Sequence, residues 1–77
     1  MRIVERKLGR EQAWGQCWQS HGLVEIDPRQ NSKSYLNTMI HEMLHLYFKK
    51  ASERWVAKVA DRMSEALWRR GYRRIME

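Results

Sequence analysis

From Tyr35 to Lys49 the chain carries apolar side chains around nearly the whole of a helical circumference: Leu36, Met39, Ile40, Met43, Leu44, Leu46, Tyr47 and Phe48 fill all but one narrow sector. A helix apolar on so many sides has to be covered on two of them, so the chain must supply one layer before it and another after it. Placing His41 at zero, at roughly 100° per residue, puts His45 near 40°, Thr38 near 60° and Glu42 near 100°. These polar side chains share the one sector left open, and only that slot need face solvent.

The layer before the helix reads as β structure. Short apolar or β-prone runs, Arg2 to Leu8, Ala13 to Gln19 and Leu23 to Asp27, are separated by Gly9-Arg10 and by Ser20-His21-Gly22, which predicts a small antiparallel sheet of two to three strands. Asp27-Pro28 ends the last run, because proline cannot donate to a ladder. Ser32 or Ser34 is placed to cap the helix that follows, which should reach about Lys49.

A second helix is expected from Ser52, as N-cap, to near Gly71, which suits the left-handed residue beyond a helix end. Val56, Val59, Ala60, Met63, Ala66 and Leu67 recur at helical spacing as its buried stripe, with Arg54, Lys58, Arg62, Glu65 and Arg69 opposite. Lys50 and Ala51 leave room only for a tight turn, so the two helices should form an antiparallel hairpin. The fold class is α+β, sheet first and hairpin second, in a single domain over residues 1–77.

At 77 residues, a chain buries only about 60% of its unfolded surface and gains from extra support. Cys17 is the only cysteine, so no internal disulfide is available and a metal ion or self-association is the remaining candidate. The first residues, Met1 to Lys7, lack the long apolar stretch of a signal peptide, and nothing approaches the roughly 18 apolar residues that span a bilayer. A soluble, cytoplasmic protein without a membrane partner is expected, and its oligomeric state is not legible in the sequence.

The open slot of the first helix holds His41-Glu42-Met43-Leu44-His45, an HExxH pattern. Residues four apart lie one turn apart on one face, so both imidazoles can reach a single metal ion. Zinc accepts neutral imidazole nitrogen and carboxylate oxygen, and a catalytic zinc site keeps one position open for water. Glu42, beside the pair, is placed to take that water's proton.

A third ligand has to come from elsewhere. Glu53, at the start of the second helix, shares a sector with the small residues Ala57, Ala60 and Ser64, and an antiparallel hairpin turning near residue 50 brings that sector to the last turns of the first helix. Glu53 is therefore the first choice, although a carboxylate in a first helical turn is also favoured by the helix dipole alone. Asp61, two turns on and roughly 80° round the axis, is the second choice. His21 reads as a turn residue and Cys17 as a small buried hydrophobe in a strand.

From Gly22 to His45 the order of strand (Leu23-Val24-Glu25-Ile26-Asp27), polar connection and HExxH helix resembles minimal zincin metallopeptidases, including SprT-like and ImmA/IrrE-type domains. Continuing to Arg73, the chain is similar to the small HExxH proteins of phage and bacterial genomes. The resemblance implies a gluzincin-like site, with His41, His45 and Glu53 as zinc ligands and Glu42 as general base. It also implies that the strand around Leu23 to Asp27 is an edge to which an extended peptide substrate is added. No histidine follows His45, which excludes the third histidine of SprT-like sites.

The activity this implies is hydrolysis of a peptide or protein substrate, with Glu42 moving the proton and Tyr72 or Tyr35 as a candidate stabiliser of the oxyanion. Two other readings compete. The net charge of +6 and the cluster Arg62, Arg69, Arg70, Arg73 and Arg74 with Trp68 and Tyr72 would suit a nucleic-acid-binding module. Alternatively the zinc is purely structural and holds the two helices together, in which case four protein ligands should close the site.

Overall fold

The computed structural model describes residues 1–11 and 13–75. Three short strands, β1 (Arg2–Glu5), β2 (Gly15–Trp18) and β3 (Leu23–Ile26), are followed by two helices, α1 (Ser32–Tyr47) and α2 (Glu53–Arg69). The sheet order is β1-β3-β2, with β3 parallel to β1 and antiparallel to β2. The fold is α+β as expected, but the sheet is mixed rather than antiparallel throughout.

The mixed order follows from how the β1–β2 connection crosses the end of β3. Leu8, in that connection, is fully buried, and its N–H donates to Asp27 Oδ2 at 2.9 Å. The Asp27 N–H in turn donates to the Trp14 carbonyl at 2.9 Å, at the entry to β2. One residue past β3 thus fixes the chain both as it leaves β1 and as it enters β2, so β3 lies between them. β3 is the central strand, and its reading as a substrate edge is corrected: Val24, Glu25, Ile26 and Asp27 are all buried.

The two-sided burial of α1 is present. One side packs Leu46 on Val24 and Ile26 of β3, with Cys17, Tyr35 and Met39 alongside. The other packs Ile40 and Leu44 on Val56 and Ala60 of α2, with Leu36, Ala51, Val59 and Leu67 around them.

The N-cap of α1 is Asn31, one position before Ser32 and three before Ser34, and its side chain accepts from the Ser34 amide at 2.9 Å. Asparagine and serine serve equally well there, so spacing alone does not choose between them. Ser52 caps α2 as expected, accepting from the Trp55 amide at 3.1 Å. Gly71, at φ +87°, closes α2 in a Schellman arrangement, with Gly71 N–H donating to Trp68 O and Tyr72 N–H to Leu67 O.

The buried stripe of α2 is rotated from the expected one. Val56, Ala60 and Ser64 are buried while Met63 is exposed, as is Ala66. The small side chains let α2 approach α1, and Ser64 Oγ is satisfied there by Asn37 Nδ2 at 3.0 Å. Met63 and Ala66 fall on the side that this rotation turns away from α1.

Two buried carboxylates organise the sheet. Glu25 accepts from Arg6, from Trp18 Nε1 at 2.6 Å and from Gln16 Nε2 at 2.9 Å. The Arg6 and Trp18 bonds outweigh burial and hold its carboxyl at about 2. Asp27 accepts from Arg29 Nη2 at 2.6 Å, Arg29 Nε and the Arg29 amide, and the Arg29 guanidinium keeps it well below the usual carboxylate range.

Both carboxylates bind protons more weakly when folded than when unfolded, so their contribution is complete above the unfolded value and is lost as pH falls towards the folded one. Melting temperature is therefore expected to fall steadily from about pH 4.5 to about pH 2. A Glu25→Gln variant should start lower at neutral pH and fall less over that window. Circular-dichroism melts of both proteins check this, and equal slopes would dismiss the role of Glu25.

Candidate metal centre

His41 and His45 stand one turn apart on α1, and Glu53 is the first residue of α2. The tight turn between the helices, closed by the Ala51 N–H donating to Phe48 O at 3.0 Å, brings the start of α2 beside the last turns of α1. One ligating atom from each of His41, His45 and Glu53 lies within 4.8 Å of the others. The two Nε2 atoms are 3.2 Å apart, and Glu53 reaches His41 Nε2 at 2.8 Å and His45 Nε2 at 2.6 Å.

The donor set fits zinc. Two imidazole nitrogens and a carboxylate are its ordinary ligands, and bonds of about 2.0–2.1 Å separate tetrahedral ligand atoms by about 3.3 Å. The histidine pair already has that separation, whereas the carboxylate contacts have the lengths of charge-assisted hydrogen bonds. At 3.2 Å the two imidazole nitrogens are within hydrogen-bond reach when one of them carries the proton, and a cation among the three atoms would take the place of that proton.

Glu42 completes the arrangement from the side. Burial, opposed by the charges of His41 and His45, pushes its carboxyl up from the ordinary range. This is the direction that makes a carboxylate a better proton acceptor near neutral pH. Together Gly15, Gln16, Cys17, Trp18, Gln19, Ser20, His41, Glu42, His45 and Glu53 line an open cleft of about 640 Å³. Glu53 is 69% exposed, so the cluster opens to solvent on the side away from α1.

One wall of this cleft is β2, an element that the sequence reading did not attach to the site. Gly15 is the reason it can lie there: a Cβ at that position would stand 2.5 Å from Thr38 Cγ2 and 3.0 Å from Glu42 Cγ. Gln19 pins the far end by donating from Nε2 to the His45 carbonyl at 2.7 Å. The only advance signal was Gly15 inside a β-prone run, where glycine marks close approach of another element.

Because Trp14 and Asp27 form a bonded pair in a register that continues Gly15–Ile26, Gln16–Glu25, Cys17–Val24 and Trp18–Leu23, hydrogen bonding alternates along the ladder. Gln16 and Trp18 turn their peptide groups to β3. Gly15 and Cys17 turn theirs to the outer edge, along the cleft. Burial, followed by the charge of Glu42, pushes the Cys17 thiol up; the residue is half-buried and lines the cleft rather than fully buried as expected.

The other candidates lie elsewhere. Asp61 accepts from Asn37 Nδ2 at 2.8 Å and stands outside the cluster. His21 is exposed and pairs with Ser20 Oγ at 3.0 Å. Tyr35 donates to Glu5 Oε2 at 2.7 Å and with Tyr72 lines a separate apolar hollow, so neither tyrosine reaches the cleft and their reading as oxyanion stabilisers is corrected.

Of the C-terminal arginines, Arg69 pairs with Glu65 at 3.0 Å. Arg73 stacks on Trp68 at 3.4 Å and donates to its carbonyl. Arg74 pairs with Glu5 at 2.7 Å and lies over Tyr35. These contacts tie the tail to the fold.

Comparison with protein-family models, with curated proteins and with solved structures finds no match to this chain. Whatever is said of its chemistry therefore rests on its own residues.

Two outcomes are expected. Chelator-free protein should carry about one zinc per chain by elemental analysis, with little in His45→Ala or Glu53→Ala and full loading in Asp61→Ala; retention by both of the first two variants would reject the cluster as the site. Gly15→Ala should lose about 1–3 kcal/mol in urea unfolding through forced separation of β2 from α1.

Proposed function

We propose that this chain is a minimal zinc-dependent metallopeptidase whose zinc is held by His41, His45 and Glu53. The observation that carries the reading is the convergence of three donor atoms of the right kinds, with the Nε2 atoms 3.2 Å apart, beside a partly buried glutamate in an open cleft. Among the described residues the cluster supplies three ligands rather than four, and its fourth side faces the cleft. That favours a catalytic over a purely structural metal.

Zinc bound there would polarise a carbonyl and make water acidic enough to ionise near neutral pH. Glu42 takes the proton from the attacking water and delivers it to the departing amine nitrogen. The outward peptide groups of Gly15 and Cys17 receive an extended substrate as an added strand, laying its backbone across the cleft. This assigns the substrate edge to β2, and it makes an extended peptide segment the substrate class.

Among the described residues, no tyrosine or arginine lines the cleft. Charge developing on the carbonyl oxygen would therefore fall to the metal and to donors such as the Ser20 hydroxyl and the β2 amides.

Glu42→Gln should keep its zinc and lose about 10²–10⁴-fold in cleavage rate of an unfolded protein substrate. Chelation should stop the parent, and added zinc should restore it. Zinc-loaded parent that cleaves no peptide in a broad library would reject the peptidase reading, and an undiminished Glu42→Gln rate would reject the role of Glu42.

A further inference from the structure

The turn joining α1 to α2 carries an unusual surface. Tyr47, Phe48 and Trp55 are 63%, 52% and 41% exposed, and the rings of Phe48 and Trp55 meet edge to face at 5.4 Å. With Lys49, Lys50, Ala51 and Ser52 they border a shallow hollow at one end of the helical hairpin. Exposed aromatic rings in a group are costly unless something covers them.

The charges around the rings say what that is. Lys49, Lys50, Arg54 and Lys58 are all exposed. From residue 43 to residue 60 the one acidic side chain is Glu53, and it is turned towards His41 and His45. The corner is therefore apolar at its centre and cationic at its rim. A second copy of the same surface would set lysines against lysines, which excludes self-association through this patch.

A nucleic acid would need open ring faces strung along a cationic groove. Here the Phe48 and Trp55 rings meet edge to face beside a shallow, open hollow rather than in a row along a groove. Tyrosine, tryptophan and phenylalanine flanked by lysines are the composition of segments that settle at the headgroup boundary of a bilayer, the rings entering it and the ammonium groups meeting anionic lipid.

We propose that the α1–α2 corner, with Tyr47, Phe48 and Trp55 at its centre and Lys49 and Lys50 at its rim, docks on the surface of an anionic phospholipid membrane. The expectation of no membrane partner followed from the lack of a spanning segment, and a surface contact needs none. His45 and Glu53 lie within one turn of the corner, so docking holds the cleft beside the bilayer. The proposal does not depend on the metal reading.

The test is co-sedimentation of the full chain with phosphatidylcholine vesicles and with vesicles containing about 30% phosphatidylglycerol. Binding to the anionic vesicles should be at least about tenfold stronger and should weaken with salt, and Lys49→Glu with Lys50→Glu should lose about tenfold or more. Phe48→Ser with Trp55→Ser should also lose binding. Trp55 emission, taken as the difference between the parent and Trp55→Phe, should shift to the blue on anionic vesicles. These are exposed positions, so unchanged melting temperatures will show that each variant is folded.

Equal binding to both kinds of vesicle would overturn the proposal. So would no binding to either, or capture of a single-stranded oligonucleotide by the same four residues in preference to lipid.

Discussion

The carboxylate of Asp27 is the point on which the sheet is assembled. It is fully buried, and every contact that makes its burial tolerable is also a contact that positions chain: Leu8 from the β1–β2 connection, and Arg29 from the approach to α1. A buried charge without such partners would be severely destabilising. With the Asp27 amide also donating to the Trp14 carbonyl, this one residue holds β1 through Leu8 on one side of β3 and the start of β2 on the other. From that order follows the placement of β2 at the edge next to α1 and the existence of the cleft.

The helical half was legible because its signals are local. Ser52 and Gly71 act through the few residues around them, and the small sector of Ala57, Ala60 and Ser64 correctly indicated which side of α2 would meet α1. Glu53, on that same side, is carried to the histidines by the geometry of a hairpin. The apolar stripe was misjudged at Met63 because the contact with α1 is centred on the small residues Ala60 and Ser64 rather than on the larger apolar ones.

The sheet was less legible because its order depends on contacts between residues far apart in sequence. Three β-prone runs in succession suggest neighbouring strands, and nothing near Leu23 announces that a parallel partner will come from the N-terminus. One sign was available: Leu23 to Ile26 lacks the alternation of a strand with a solvated face. Both acids at its end, Glu25 and Asp27, are buried in pairs with arginines. Misplacing β3 as an edge also hid the proper neighbour of the histidines, which is why Gly15, Gln19 and the outward peptide groups of β2 entered only with the structure.

Gly15 has a mechanical consequence. With no side chain between them, the backbone of the sheet edge lies so close to Thr38 and to the stem of Glu42 that a methyl group would not fit, so neither has room to move towards the other. The strand that would align a chain and the group that would accept its proton thus behave as one stiff part, with its tolerance set by a single missing methyl group.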